Sequence, residues 1–151
     1  DSRAWEESRA CGLGEVKFLG TSNRNVNPMG EISSRILVVD DEEAIREITS
    51  AILTAAGYQC RTAADGLEAL DVLDSEKFDL MITNFMMPNL DGFGLMEQAK
   101  KKFPNMPVVV ESAAQDVAIA GEFLRRGAFD YLVAPFEREQ LLAIVHRALA
   151  S

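Results

Sequence analysis

The chain has 151 residues and a formal net charge of -9, from 24 Asp and Glu against 15 Lys and Arg. That length corresponds to one domain with room for a short appendage. A composition of 48% hydrophobic and 26% charged residues is ordinary for a globular protein with a real core. The acidic balance argues against binding nucleic acid or an anionic membrane through charge, because both need a basic surface.

Histidine and cysteine are too scarce for most metal-site or nucleophile chemistry. His146 is the only histidine, and the two cysteines, Cys11 and Cys60, form no close-spaced metal motif. Two such cysteines are typical of free thiols in a reducing compartment. The chain has neither a run of roughly 18 apolar residues nor an N-terminal signal segment. We therefore expect a cytoplasmic protein that does not bind membranes.

The first 34 residues lack the regular patterns of the rest of the chain. They show no sustained helical or alternating periodicity, and residues 21–28 are rich in turn and loop formers. We expect residues 1–34 to be a flexible extension and residues 35–151 to form the domain. Alternatively, Met29 is the natural start, in which case residues 1–28 are not native.

From residue 35 onward, apolar runs alternate with amphipathic segments. The predicted strands occupy residues 36–39, 58–63, 80–83, 108–110 and 131–133. The first predicted helix carries Ile45, Ile48 and Ile52 and ends near 56–57, and later ones occupy 66–73, 94–102, 117–126 and 138–149. Five short strands, each followed by a helix, indicate an α/β protein.

Strands that are apolar on both faces and joined through helices are typical of a parallel sheet covered on both sides. Right-handed crossovers then produce an open, doubly wound sandwich. In such sheets the functional site lies at the carboxyl ends of the strands, near the point where the strand order reverses. The residues at these ends are Asp40, Asp41, residues 84–88, Ser112, Ala113, Ala134 and Pro135.

Two adjacent carboxylates, Asp40 and Asp41, directly follow the first predicted strand. Like charges about 4 Å apart repel by ~4 kcal/mol at an effective dielectric constant near 20. A hard, oxygen-seeking cation such as Mg²⁺ would relieve this repulsion and keep several of its own waters. Asp41, Glu42 and Glu43 would also suit a helix N-terminus, so a plain helix cap is the alternative to a cation site.

Four strand-end segments form a specific set in this order and spacing. They are Leu37-Val38-Val39-Asp40-Asp41-Glu42, Met87-Pro88-Asn89-Leu90-Asp91-Gly92, Ser112-Ala113 and Ala134-Pro135-Phe136. The set resembles the receiver domain of two-component response regulators, and the resemblance covers residues 35–150. It implies a flavodoxin-like (βα)5 sandwich with a five-stranded parallel sheet in the order 2-1-3-4-5.

The resemblance also implies a phosphorylation switch. An aspartate at the end of the third strand would accept a phosphoryl group from a kinase histidine. Asp40, Asp41 and the backbone carbonyl of Met86 would hold Mg²⁺. Ser112 and Tyr131 would be the switch residues that move on activation. A lysine followed by a proline in a cis peptide would contact the phosphoryl oxygens, and Pro135 is the candidate for that cis-proline.

Two positions depart from the family pattern. Asn84 stands at the phosphoacceptor position, and Ala134 stands at the lysine position. A carboxylate can attack phosphorus and form an acyl phosphate, whereas a neutral amide oxygen is a far poorer nucleophile. Without the lysine, a charge that would stabilise phosphoryl oxygens is also missing. Asp40 and Asp41 alone carry the same summed charge as three carboxylates and a lysine, so weak Mg²⁺ binding could survive.

Glu111 interrupts the apolar pattern of the fourth strand just before Ser112. We interpret it as an exposed strand end. A buried carboxylate at this position would need a partner, or its pKa would rise.

We predict a non-enzymatic receiver-type module that does not accept a phosphoryl group and acts through protein contacts. The alternatives are a phosphorylatable receiver seen in an Asp-to-Asn inactivated form, or one that uses a neighbouring acceptor such as Ser112. The expected partner is a histidine kinase, phosphotransfer or output protein on the fourth-helix, fifth-strand and fifth-helix face, with a homodimer as a second option. No organic cofactor is expected, because the acidic residues 40–43 would repel the phosphate of FMN.

Overall fold

The computed structural model describes residues 33–87 and 89–151. Within this part of the chain, Ser34–Ser151 forms one compact unit. The extension predicted at residues 1–34 falls outside the described residues except for its last two, and the alternative start at Met29 also lies outside them. Among the described residues, no helix combines the length and apolar character that crossing a lipid bilayer requires.

Five parallel strands form one sheet in the order β2-β1-β3-β4-β5. They are Arg35–Val39 (β1), Gln59–Ala63 (β2), Leu80–Asn84 (β3), Val108–Ala113 (β4) and Asp130–Ala134 (β5). The chain builds outward from β1 to β2 and then returns to the other side of β1 with β3. This architecture confirms the predicted doubly wound flavodoxin-like sandwich, and its strand order reverses between β1 and β3.

Each strand is followed by a helix, as the alternating pattern predicts. The helices are Glu43–Ala55 (α1), Gly66–Ser75 (α2), Gly92–Lys102 (α3), Val117–Arg125 (α4) and Arg138–Ala150 (α5), with a short 3-10 turn at Ala114–Asp116. Helix α3 begins two residues before the predicted 94, because Asp91 caps it by accepting a hydrogen bond from Gly94 N at 2.9 Å.

Alternate residues of each strand face opposite layers of helices. Ile36 and Val38 of β1 belong to a core shared with α1 and α5. Leu37 and Val39 belong to a second core shared with α2, α3 and α4. In α1 the buried side chains are Thr49 and Leu53. Ile48, part of the predicted apolar face, is 56% exposed, so spacing alone identified the helix but not the side that packs.

Candidate functional site

A pocket of about 300 Å³ opens at the carboxyl ends of β1, β3, β4 and β5. Its lining consists of Asp40, Asp41, Glu42, Asn84, Phe85, Met86, Glu111, Ser112, Ala113, Asp116 and Ala134. It therefore unites most of the predicted site residues at the reversal in strand order. Tyr131 and Pro135 do not line it. Tyr131 is half-buried on β5, and the exposed Pro135 follows a cis peptide bond to Ala134.

The side-chain amide of Asn84 contacts three other residues of this pocket. Its Nδ2 donates to Asp41 Oδ1 at 3.1 Å, to the carbonyl oxygen of Met86 at 3.2 Å and to Asp40 Oδ1 at 3.4 Å. These acceptors come from the three residues that the family resemblance assigns to a cation. The asparagine therefore links the end of β3 to the acidic pair after β1.

Two other polar atoms in the pocket are buried and lack hydrogen-bond partners within the described residues. They are Asn84 Oδ1 and the hydroxyl oxygen of Ser112. Ser112 is only 5% exposed. A buried polar atom without a partner costs free energy, so these atoms are the readiest contact points for a polar ligand.

Asp40 is 3% exposed, which is unusual for a charged side chain. Its Oδ1 accepts a hydrogen bond from Glu42 N at 2.9 Å, and its carbonyl oxygen accepts one from Arg46 Nη1 at 2.7 Å. Burial, together with the charge of Asp41, raises the pKa of Asp40 despite the Glu42 hydrogen bond. The acidic pair is therefore held in place at a cost that a nearby donor or cation would reduce.

Glu111 is not the exposed strand end that its sequence position suggested. It lies opposite Asn84 in the register of β3 and β4, is half-buried, and lines the pocket. Burial, followed by the charge of Asp40 and a hydrogen bond with it, raises the pKa of Glu111 to about 7. Its place could have been inferred from the sequence, because a charged residue that interrupts an apolar strand directly before Ser112 lies at the strand end where the site was predicted.

An aromatic cluster supports the pocket from the α3 and α4 side. Phe85 contacts Phe93 edge-on at 5.2 Å and Phe123 at 5.7 Å, and Phe93 stacks on Phe123 at 4.1 Å. At Gly92, an added Cβ would lie 2.8 Å from the carbonyl oxygen of Asn84. The end of β3 is therefore packed directly against α3, and sequence periodicity alone did not identify this cluster.

The pocket contains oxygen atoms that could serve as Mg²⁺ ligands, but the position between them is already occupied. Two carboxylates and a carbonyl oxygen are the ligands that Mg²⁺ prefers. However, Asn84 Nδ2, a hydrogen-bond donor, already lies within 3.4 Å of all three oxygens. Among the described residues, no group of three or more His, Cys, Asp or Glu side chains is arranged to hold a metal ion. The residues as arranged do not fit a bound cation.

Comparison with known proteins identifies the class of domain. The response regulator receiver domain family matches residues 36–146. The DNA-binding transcriptional regulator NtrC of Klebsiella pneumoniae is 37% identical over 113 residues, which span 75% of this chain and 24% of that protein. The response regulator MprA of Mycobacterium bovis is 41% identical over 112 residues, covering 74% of this chain and 49% of that protein.

Solved structures agree with the sequence comparison. The receiver domain of NtrX from Brucella abortus superposes with a TM-score of 0.75 at 36% identity, covering 77% of this chain and 98% of that one. The chemotaxis response regulator CheY4 of Vibrio cholerae gives a TM-score of 0.72 at 32% identity, with the same two coverages, 77% and 98%. The chain belongs to the response regulator receiver domain family. It spans about a quarter of NtrC and half of MprA.

Proposed function

We propose that this chain is a non-enzymatic receiver module that passes on a signal through protein contacts without accepting a phosphoryl group. The observation that carries the proposal is the Asn84 amide at the end of β3, pointing its nitrogen at Asp40 and Asp41. In this reading, Asn84 occupies the place of the family's phosphoacceptor, and the acidic pair faces a hydrogen-bond donor instead of a nucleophile.

The charge of the pocket supports the same conclusion. Five acidic side chains line it, Asp40, Asp41, Glu42, Glu111 and Asp116, and no Lys or Arg among the described residues does. An incoming phosphoryl group is anionic and needs positive charge to stabilise its transfer. Ala134, at the position assigned to the family's lysine, leaves that need unmet on the β5 side. Mg²⁺ binding at this pocket is weak for a different reason, because the Asn84 amide nitrogen already lies against Asp40, Asp41 and the Met86 carbonyl.

A phosphorylatable receiver carrying an inactivating Asp-to-Asn change is the second candidate. It is favoured by the buried hydroxyl of Ser112, which lines the pocket at the position that the family resemblance assigns to a switch residue. In this second reading, Ser112 and Tyr131 would act as switch residues once an acidic residue replaced Asn84.

The partner surface is proposed to be the face formed by α4, β5 and α5. Arg125 ends α4 with an exposed guanidinium group held by Glu122 at 2.7 Å, whereas the adjacent Arg126 lies over the ring of Phe93 on the α3 side. The half-buried Tyr131 lies on the adjoining strand. A histidine kinase, phosphotransfer protein or output domain is the expected partner on this face, and a second copy of the chain is the other candidate.

A phosphodonor assay tests the proposal directly. The chain is incubated with acetyl phosphate and Mg²⁺, and its intact mass is followed by mass spectrometry. We expect no gain of roughly 80 Da, the mass of one phosphoryl group. A stoichiometric adduct on the unmodified chain would refute the proposal, and its location would distinguish Ser112 from other acceptors.

Two variants calibrate this assay. Asn84→Asp should accept the phosphoryl group only slowly, because Ala134 still leaves its oxygens without a cation. Asn84→Asp combined with Ala134→Lys should be labelled much faster. Asn89→Asp, which introduces a carboxylate at an exposed neighbouring asparagine, should remain unlabelled. Full labelling of Asn84→Asp alone would show that phosphoryl transfer in this pocket does not need a positive charge at position 134.

A further inference from the structure

The carboxamide nitrogen of Asn84 lies where three oxygen atoms converge, at 3.1 Å, 3.2 Å and 3.4 Å. We propose that this nitrogen substitutes for a divalent cation, so that the pocket keeps its arrangement without metal. The inference rests on the proposed function in one respect, since both give Asn84 a role other than phosphoacceptor. It concerns cation binding, however, and not the transfer of a phosphoryl group.

Only the nitrogen end of the amide satisfies this position. Asp40, Asp41 and the carbonyl of Met86 all present acceptor oxygens to it. Turning the amide by half a turn would place Oδ1 against these three acceptors with no hydrogen between them. Two N–H hydrogens serve three acceptors here, so the 3.4 Å contact to Asp40 is the weakest.

The amide does part of the electrostatic work that a cation would do. Hydrogen bonds to ionised acceptors are stronger than those between neutral groups, so an amide N–H can hold Asp40 and Asp41 near each other. It does so without metal ligation and without the charge of a lysine. Asp40 receives a further donor from Glu42 N at 2.9 Å and lies beside Glu111 in the same pocket.

A cation and the amide therefore compete for the same oxygens. A metal ion bound by Asp40, Asp41 and the Met86 carbonyl would occupy the space that Nδ2 fills. Binding would break three hydrogen bonds and force the amide to move, which lowers the affinity for metal. The cation position of this pocket is therefore already occupied by the side-chain amide of Asn84.

Manganese titration of the whole 151-residue chain tests this idea, with free Mn²⁺ measured by its electron paramagnetic resonance signal. The chain as it stands is compared with Asn84→Ala and with Asn89→Ala. Asn89 is the matched control, because its amide also donates to a carboxylate, Asp65 Oδ2 at 2.9 Å, outside the pocket lining. Asn84→Ala should bind Mn²⁺ at least about tenfold more tightly, and Asn89→Ala should match the parent.

Thermal unfolding gives a second readout on the same proteins. For the parent, and likewise for Asn89→Ala, the unfolding temperatures in chelator and in millimolar Mg²⁺ should agree within about 1 °C. Asn84→Ala should unfold earlier in chelator and recover with Mg²⁺. If Asn84→Ala is unfolded without metal, refolding on addition of Mn²⁺ supports the proposal, and failure to refold overturns it.

The opposite results are equally clear. Equal Mn²⁺ affinity of the parent and Asn84→Ala would show that the amide does not compete with the cation. Weaker binding by Asn84→Ala would show that Asn84 is a metal ligand through its oxygen. Either result overturns the substitution of amide for cation. Neither depends on a phosphodonor, so the outcome is separate from that of the acetyl phosphate assay.

Discussion

The middle of each strand and its carboxyl end differ sharply in chemistry. Leu37 and Val109, in the middle of β1 and β4, are 0% exposed and packed among apolar neighbours. Asp40, three residues after Leu37, and Glu111, two residues after Val109, carry carboxyl groups that are also partly or fully shielded from water. The strand middles bury apolar side chains, whereas the strand ends hold polar and charged groups whose burial is energetically unfavourable.

This contrast indicates how the domain divides stability from function. Burying apolar side chains is the dominant favourable contribution to folding, and it is concentrated in the two cores. The pocket instead holds raised carboxyl pKa values and polar atoms without partners, at Asn84 and Ser112. Buried carboxyl groups and unpaired polar atoms are typical of functional sites in folds whose other residues satisfy the usual rules of burial and hydrogen bonding. Changes to the cores should therefore cost stability, and changes to the pocket should alter responses to pH or cations.

The largest expected effect is that of Phe123→Ala. Phe123 is 0% exposed, and its ring stacks on Phe93 at 4.1 Å. Its removal leaves a cavity, and the free energy of unfolding should fall by about 3–5 kcal/mol in urea denaturation. Leu124→Ala, at a neighbouring position that is 39% exposed, is the control and should cost less than about 1 kcal/mol. Equal losses in the two variants would contradict the division between core and surface.

The next effect is a pH dependence that originates at Glu111. Its pKa rises from 4.5 to about 7 on folding, so between these pH values the folded chain holds a proton that the unfolded chain releases. The contribution of Glu111 to the free energy of unfolding should therefore be most favourable below pH 4.5 and should fall as the pH rises to about 7. The loss is on the order of 3 kcal/mol.

Glu111→Gln removes this titrating group. Urea denaturation at a series of pH values should show a shallower loss of stability, and the variant should exceed the parent above pH 7. Some slope should remain, because the pKa of Asp40 is raised as well. Glu97→Gln, at an exposed position of α3, should keep the parent's profile. An unchanged pH profile of stability in Glu111→Gln would mean that folding does not raise the pKa of this carboxyl group.

The smallest effect concerns a polar side chain that supports a helix end. Asp65 caps α2 by accepting from Glu68 N at 2.8 Å, and it also accepts from Asn89 Nδ2 at 2.9 Å. Asp65→Ala should lower the free energy of unfolding by about 1 kcal/mol. Asp71→Ala, on the exposed face of the same helix, should cost less. If Asp65→Ala also changed the pH dependence of stability that originates at Glu111, the helix cap and the pocket would be coupled.

Local patterns predicted the elements of this domain well, because they depend on periodicities of two and 3.6 residues. All five strands and five helices occur where the apolar runs and amphipathic segments placed them. The side of α1 that packs was harder to predict, since Ile48 is exposed while Thr49 is buried. Spacing identifies a helix, but its rotation against the sheet depends on neighbours distant in sequence.

The site was predictable as a set of residues and not as an arrangement. Strand-end positions and the family resemblance placed Asp40, Asn84 and Ser112 in one pocket, and the structure brings all three together. Glu111 was misjudged as exposed, because its partner Asp40 comes from another strand. The aromatic cluster of Phe85, Phe93 and Phe123 was not anticipated, since its members come from a loop and two helices.

By itself, the sequence determined that this is a doubly wound receiver domain with Asn84 and Ala134 at two strand ends. Tertiary structure alone decided that the Asn84 nitrogen meets Asp41, 43 residues away, at 3.1 Å, and that Glu111 lies beside Asp40. The physical reason is the range of the interactions. Strands and helices follow from neighbours within a few residues, whereas the pocket forms only when β1, β3 and β4 align in one sheet.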